Sequence, residues 1–477
     1  MTDQQRGDTV ATDSPVLTPN IDKFRREGVT FANSFCTAPH CCPSRASFLT
    51  GLYPSEHGVW NNVNVATTLS TGLNAGVSLF SEDLLSAGYE LFFSGKWHIS
   101  NEERPCDRGW QEGYVTGLPV DEDERALRWR QYKEIAQNST DDPNRPSEPG
   151  RFRRSGYGEY MLYAQSEHPF DDEKVVDSAR GFLENRDRDG KPWLLFVGPK
   201  GPHDPYAVPQ RFLDLYDPES ISLPASMDDE MLDKPGLYRR MRRVFASISR
   251  EEQREALRHY YAFCSYEDYL FGQLLESLEQ SGRKEDTLVL YLSDHGDYAG
   301  EHGLWCKGLP AFDSAYRIPS IVRWPRGIHR PGRTVSRSIS LVDFAPTFLE
   351  VSGLSQPGDE HRFSGRSLLP FLKNKPPAEW DDTNYFMTNG NELYGIQRIV
   401  RTGKWKYVYN GFDFDELYNL KADPEELRNL IEDPRVADVV EKLSTAMWSF
   451  GLQHGERSIN PYIATALAPH GPAAALK

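Results

Sequence analysis

The chain has 477 residues, a net charge of −16, 38% hydrophobic and 12% aromatic residues. That is enough apolar material for one large core and a smaller second one, and too much for a disordered chain. The acidic balance argues against a nucleic-acid partner, whose phosphates demand a basic surface, and no run approaches the ~18 apolar residues that cross a bilayer.

The opening MTDQQRGDTV carries no charged-then-apolar leader, so no signal peptide is visible. The hydropathy pattern then predicts a helix over 18–28, a strand over 28–35 and a helix starting near Cys41. A helix over 78–88 leads into a strand over 89–95, and a helix over 172–186 into a strand over 193–198. A long helix over 250–282, stopped by Gly282, precedes the strand and turn TLVLYLSDHG at 287–296. Short apolar strands alternating with helices predict an α/β fold. Residues 100–170, rich in Arg, Asp, Pro and Gly with weak periodicity, read as a surface insertion that shapes a pocket. A Pro/Gly/charge-rich linker follows 340–354, and 395–411 reads as a hairpin turning at Gly403. We therefore expect a catalytic domain over 1–370 and a C-terminal antiparallel-sheet domain with a closing helix over 371–477. Six cysteines, Cys36, Cys41, Cys42, Cys106, Cys264 and Cys306, are too few for a disulfide scaffold, a count compatible with a reducing compartment.

The stretch CCPSRASFLTG, 41–51, carries the chemistry. Pro43 suits a helix's first turn, which puts Cys41 at the N-terminus of that helix, where backbone N–H groups favour negative charge. Arg45, one turn on, adds a fixed cation. From the residues alone, Cys41 is either an activated thiolate or a small core residue.

The wider pattern resembles the type I sulfatases. Their signature, Cys-x-Pro-Ser-Arg followed by Leu-Thr-Gly and Tyr-Pro, stands here as CCPSRASFLTGLYP. TDQQRGDT, SGKWH, GPHDP, LSDHGDYAGEHGLWCKG and SLVDFAPTFLEVSG follow the family's order, and 401–430 resembles its C-terminal domain. The resemblance implies an alkaline phosphatase-like fold, a large mixed β-sheet sandwiched by helices with a smaller C-terminal α+β domain on an antiparallel sheet. It further implies that Cys41 is oxidised before folding to formylglycine by a maturation enzyme that reads Pro-Ser-Arg. One hydroxyl of the hydrated aldehyde attacks sulfur as the alcohol leaves. The second then loses its proton, expels sulfate and regenerates the aldehyde.

By the same resemblance, Asp3, Gln4, Asp294 and His295 join residue 41 around a divalent metal. Two carboxylates, an amide oxygen and an imidazole favour Ca²⁺, with Mn²⁺ or Mg²⁺ as alternatives. Arg45 and Lys96 would hold the hydrated aldehyde and His98 would assist its hydroxyl chemistry. His203 and Lys307 would face sulfate and the leaving oxygen, with His203 as the acid. The implied substrate is a small-molecule or saccharide sulfate ester. Two alternatives compete, a phosphonate monoester or phosphodiester hydrolase of the same superfamily and a catalytically silent binding protein.

Weaker signals are three arginines and two tyrosines in RFRRSGYGEY at 151–160, which reads as a solvated loop or a grip for a second anionic group. Trp97 and Trp305 read as core residues or as stacking faces for a sugar. Asn138 begins a sequon. In the sulfatases an apolar strand precedes the position of Asp3, whereas here only two residues do. This predicts that the true start lies upstream, with any export signal beyond view. If this Met is the start, the protein is cytoplasmic.

Overall fold

The computed structural model describes residues 1–477 except 66–67, 118–148, 155–157, 186–189, 356–361, 392–393, 461–469 and 473–477. The sequon at Asn138 lies outside the described residues, as do the side chains of 153–159.

Two sheets form the centre. In the first, Val29–Phe35 lies between parallel Arg333–Ser340 and the antiparallel segments Arg317–Ile318 and Ser320–Arg323, and Val289–Leu292 closes the row against Ser320–Arg323. The second is all parallel, Gln111–Thr116, Glu90–Lys96 and Trp193–Gly198. Met1, Thr2 and Asp3 join them. Thr2 bridges Ser293 in parallel on one side, and the Met1 amino group donates to the Val197 carbonyl at 2.8 Å on the other.

Strand alternation assigns the covering layers. Phe92 and Phe93 are neighbours and so point to opposite faces. Phe92 stacks on Phe182 of the helix Asp172–Glu184, centroids 4.5 Å apart, while Phe93 stacks on Phe196 at 4.5 Å. Phe196 in turn meets Phe48 of the helix Cys41–Thr50. Helices thus cover both faces, and each buried Phe contributes about 1.5–3 kcal/mol. The protein is a mixed α/β sandwich, as expected.

The helices run Pro19–Glu27, Phe80–Ser86, Asp172–Glu184 and Arg250–Gln280, each within a few residues of its expected bounds. Ser249 caps the longest, accepting from Glu252 N–H while the Glu252 carboxylate accepts from Ser249 N–H. Residues 100–170 differ from the expected insertion. Gln111–Thr116 is a strand of the central sheet, and Arg151–Arg154 pairs with Gly158–Met161. QEGYVT lacked an apolar signal because it is an edge strand, which tolerates polar side chains.

The C-terminal sheet is antiparallel, in the order Asn384–Thr388, Gln397–Arg401, Trp405–Asn410, Glu416–Asn419, with the helix Ala437–Gln453 laid on it. Leu443, Met447 and Trp448 pack against Val400, Tyr407 and Tyr409. Buried Lys406, with Arg401, pairs Asp313 of the larger part and locks the two together.

Candidate active site

Parallel neighbours bring their C-terminal ends to one height, so residues just beyond them converge. Thr2 N–H donates to the Leu292 carbonyl at 2.9 Å and Asp294 N–H returns to the Thr2 carbonyl at 3.2 Å. Asp3 and Asp294 therefore stand side by side at the carboxyl edge. The helix Cys41–Thr50 points its first turn at them, with extended His40 before it. Its stop is Gly51 at φ 71°, where an added Cβ would meet the Phe363 ring at 2.6 Å. Ser44 Oγ donates to the Asp294 carbonyl and ties the helix to the strand end.

Four side chains, Asp3, Cys41, Asp294 and His295, place ligand atoms within 4.8 Å of one another, all buried. Cys41 Sγ lies 3.2 Å from His295 Nε2 and 3.6 Å from Asp3 Oδ1, and that Nε2 is 3.6 Å from both Asp3 and Asp294. Octahedral ligands about 2.3–2.5 Å from an ion stand about 3.3–3.5 Å apart, so this spacing fits a divalent cation. The His295 tautomer fits as well. Its Nδ1–H donates to the Gly296 carbonyl at 2.8 Å, leaving the Nε2 lone pair toward the cluster. Burial lowers the His295 pKa despite Asp294, so the imidazole stays neutral.

Three cations ring this cluster. Arg45 donates Nε–H to Asp294 at 2.8 Å, Nη1–H to the Lys96 carbonyl at 2.8 Å and Nη2–H to Asp3 at 3.2 Å. Lys96 donates to the same Asp3 oxygen. Burial pushes the Asp3 carboxyl up, yet its cationic neighbours, Lys96 first and then Arg45, hold it well below the usual carboxylate range. Lys307 donates to His203 Nε2 at 2.8 Å and to the Gln4 amide oxygen. Burial opposes its charge, but Cys41, Asp204 and Asp3 raise its pKa above the ordinary lysine value.

The two remaining histidines hold distinct states. His98 Nε2 pairs with Asn64 Oδ1 at 2.9 Å, leaving a buried Nδ1 without a partner among the described residues. Burial, then Lys96 and Arg45, drive its pKa well below the usual value, so it offers a neutral, proton-accepting nitrogen. His203 donates Nδ1–H to the Asp204 carbonyl at 2.5 Å and turns Nε2 to Lys307.

Gln4 lies beside the cluster with its amide engaged at both ends. Its backbone, at φ 69°, gives N–H to Asp294 at 3.1 Å, while its amide oxygen accepts from Lys307. The amide Nε2 donates to Asp204 at 3.0 Å and to Asp297 at 2.5 Å. Sequence reasoning missed both carboxylates, although each lies beside a quoted histidine in GPHDP and SDHGD. Tyr206 also donates to Asp297, at 2.7 Å, and Tyr160 to Asp204. Burial holds Asp297 up at about 6, while His203 and Lys307 override burial at Asp204 and pull it down.

Trp97 and Trp305 are both 1% exposed, so they are core residues and offer no face to a sugar. Of RFRRSGYGEY, Phe152 is buried and Tyr160 reaches Asp204 beside the site, so the segment is not simply a solvated loop.

Comparison with known proteins shows the family. The Sulfatase family model matches residues 1–354, and that for the C-terminal region of N-sulphoglucosamine sulphohydrolase matches 300–453. A choline-sulfatase of Rhizobium meliloti is 30% identical, aligned over 87% of this chain and 78% of its own. An N-acetylglucosamine-6-O-sulfatase of Bacteroides thetaiotaomicron is 27% identical over the same shares. Among solved structures, BT4656 in complex with D-glucosamine-2-N,6-O-disulfate superposes with a TM-score of 0.72 at 24% identity, covering 96% of this chain and 97% of that one. The phosphonate monoester hydrolase of Agrobacterium radiobacter gives 0.74 at 24% identity, with 95% and 94% covered, a likeness of fold.

Proposed function

This chain belongs to the sulfatase family of sulfuric ester hydrolases, and on that footing we propose that it cleaves a sulfate monoester of a saccharide with residue 41 as the nucleophile. One observation carries the reading. In a chain of charge −16, Arg45, Lys96 and Lys307 converge with His203 on the Cys41–Asp3–Asp294–His295 cluster. A local positive field of this kind receives a sulfate dianion's worth of developing charge.

Residue 41 acts as formylglycine made from Cys41, whose Sγ here marks the place of a hydroxyl of the hydrated aldehyde. Asp3, Asp294 and His295 would hold a divalent ion, Ca²⁺ by the oxygen-rich set, with the Gln4 amide oxygen as a further ligand. Such an ion lowers the pKa of a bound hydroxyl and draws sulfate oxygens. Arg45 and Lys96 keep the Asp3 carboxylate ionised, and Arg45 aims Asp294. His98, neutral and with Nδ1 open, takes a proton from residue 41. His203, when protonated at Nε2 in place of the Lys307 contact, gives that proton to the leaving oxygen, and Lys307 beside it neutralises the departing sulfate. Residues 1–370 form the catalytic unit and 371–477 close it from outside.

The saccharide class rests on the sulfated-sugar relatives. The test is a peptide mass across 41–45 in protein made with a formylglycine-generating enzyme, with turnover of aryl sulfate and aryl phosphonate esters side by side. We expect a mass 18 Da below the cysteine form (thiol to aldehyde, H₂S lost and O gained, ~18 Da) and faster sulfate turnover. An unmodified thiol in fully active protein, or a phosphonate preference, overturns the assignment.

A further inference from the structure

His40 sits where a side chain normally caps a helix, yet its ring caps nothing. It is the N-cap of Cys41–Thr50, on extended backbone at φ −138° and ψ 147°, and its side chain makes no cap hydrogen bond. An N-cap side chain ordinarily accepts the N–H of the second or third helical residue. Here the second, Cys42, gives its N–H to Asn62 Oδ1 at 3.1 Å, and the third is Pro43, which has none. The usual partners are spent or absent.

His40 is also 1% exposed, and neither Nδ1 nor Nε2 has a partner among the described residues. Buried polar groups are almost always paired, and one left unpaired lowers stability. The fold meets this demand at the nearby buried His57, whose Nε2 pairs with Ser47 Oγ at 3.0 Å and whose Nδ1 accepts Val59 N–H at 3.1 Å. At His40 it leaves both nitrogens open. Whatever its tautomer, an imidazole has at least one N–H to give.

The surroundings select an anion as the taker. His40 adjoins Cys41 at the head of the helix whose first turn faces the Asp3–Asp294 pair, and the charged groups acting on its ring are His295 and Lys307. A helix N-terminus ringed by cations, with a ring N–H to spare, suits an oxyanion. An oxyanion that brings hydration water supplies both an acceptor and a donor to the two nitrogens.

We propose that His40 is a further sulfate-binding residue, its ring N–H donating to an oxygen of the sulfate group held between residue 41 and Lys307, an inference that rests on the sulfate ester reading above. The empty protein then carries an unpaired ring, and the anion restores its hydrogen bond. Stability without sulfate and affinity for sulfate therefore trade against each other at this one position.

The test uses protein made with a formylglycine-generating enzyme, in Ca²⁺ buffer, with sodium sulfate as the probe. Calorimetric titration against chloride at equal ionic strength gives affinity, and urea midpoints without sulfate give stability. His40→Leu, close in volume, is expected to weaken sulfate about tenfold or more and to leave the sulfate-free midpoint unchanged or higher. His40→Gln and His40→Asn carry an amide N–H near the place of Nε2 and of Nδ1, and one of the two is expected to stay within about threefold of the parent. No sulfate binding by the parent, equal affinity in His40→Leu, a full loss in both amide variants, or a lowered midpoint in His40→Leu overturns the proposal. Ester turnover by the parent judges the hydrolase reading separately. A parent that hydrolyses sulfate esters but binds sulfate independently of His40 removes only the role of His40, and one that binds sulfate through His40 without hydrolysing its esters removes only the hydrolase reading.

Discussion

Replacing Arg45 by Met tests the electrostatics of the site most directly. Arg45 is 2% exposed and spends three N–H groups on Asp294, Asp3 and the Lys96 carbonyl. Methionine keeps most of the stem's volume, so packing changes little, but Asp294 loses its fixed countercharge. Removing one partner of a buried pair costs about 3–5 kcal/mol. Two backbone donors to Asp294, from Gln4 and His295, remain and place the expected loss at the low end. Urea unfolding in a chelating buffer reads this loss. Titrating Ca²⁺ then has a larger stabilising effect on the variant than on the parent, because the ion supplies the charge that the guanidinium did. A variant within about 1 kcal/mol of the parent in chelator, or one indifferent to Ca²⁺, refutes the view that Arg45 and a cation share the neutralisation of these carboxylates.

Three other expectations follow. His203→Gln lowers kcat about 10²–10⁴-fold on alkyl sulfates, whose leaving group needs a proton, and far less on nitrophenyl sulfate, so equal losses on both remove His203 as the acid. Burial raises Asp343 from 3.8 to about 6, although Ser340 and Arg366 N–H groups stabilise its anion. Its contribution to stability is full below pH 3.8 and is lost as pH rises through about 6, and Asp343→Asn should flatten urea midpoints over that window if this sign is right. At Gly95, φ is 113° and an added Cβ would sit 2.2 Å from the Gly198 carbonyl, so Gly95→Ala should cost more than about 2 kcal/mol, and a neutral result would refute the crowding.

What the sequence disclosed was local. WLLFVG reads as a buried strand because a continuous apolar run has no other economical fate, and it spans Trp193–Gly198. The CCPSR helix start is likewise legible, since Pro43 and Gly51 act on their own neighbours. The alternation of strands and helices predicted the α/β sandwich. Gln111–Thr116 stayed hidden because its only signal was its partner, the more apolar Glu90–Lys96. Trp97 and Trp305 were ambiguous because a tryptophan's burial depends on what packs over it. Asp204, Asp297, Tyr206 and Tyr160 were missed for the same reason. Their roles come from meeting Gln4 across 200 or more residues for the two carboxylates, a separation no window along the chain spans.

Cys41 is 1% exposed, and its cluster partner His295 lies 254 residues further along. At about 5–20 residues per second, a ribosome makes that stretch in roughly 13–50 s. Throughout that interval Asp294 and His295, which close one side of Cys41 and Arg45, do not yet exist. On the proposed formylglycine reading, an enzyme maturing Cys41 would work against a clock set by translation, and slower elongation between the two positions should raise the fraction of molecules converted.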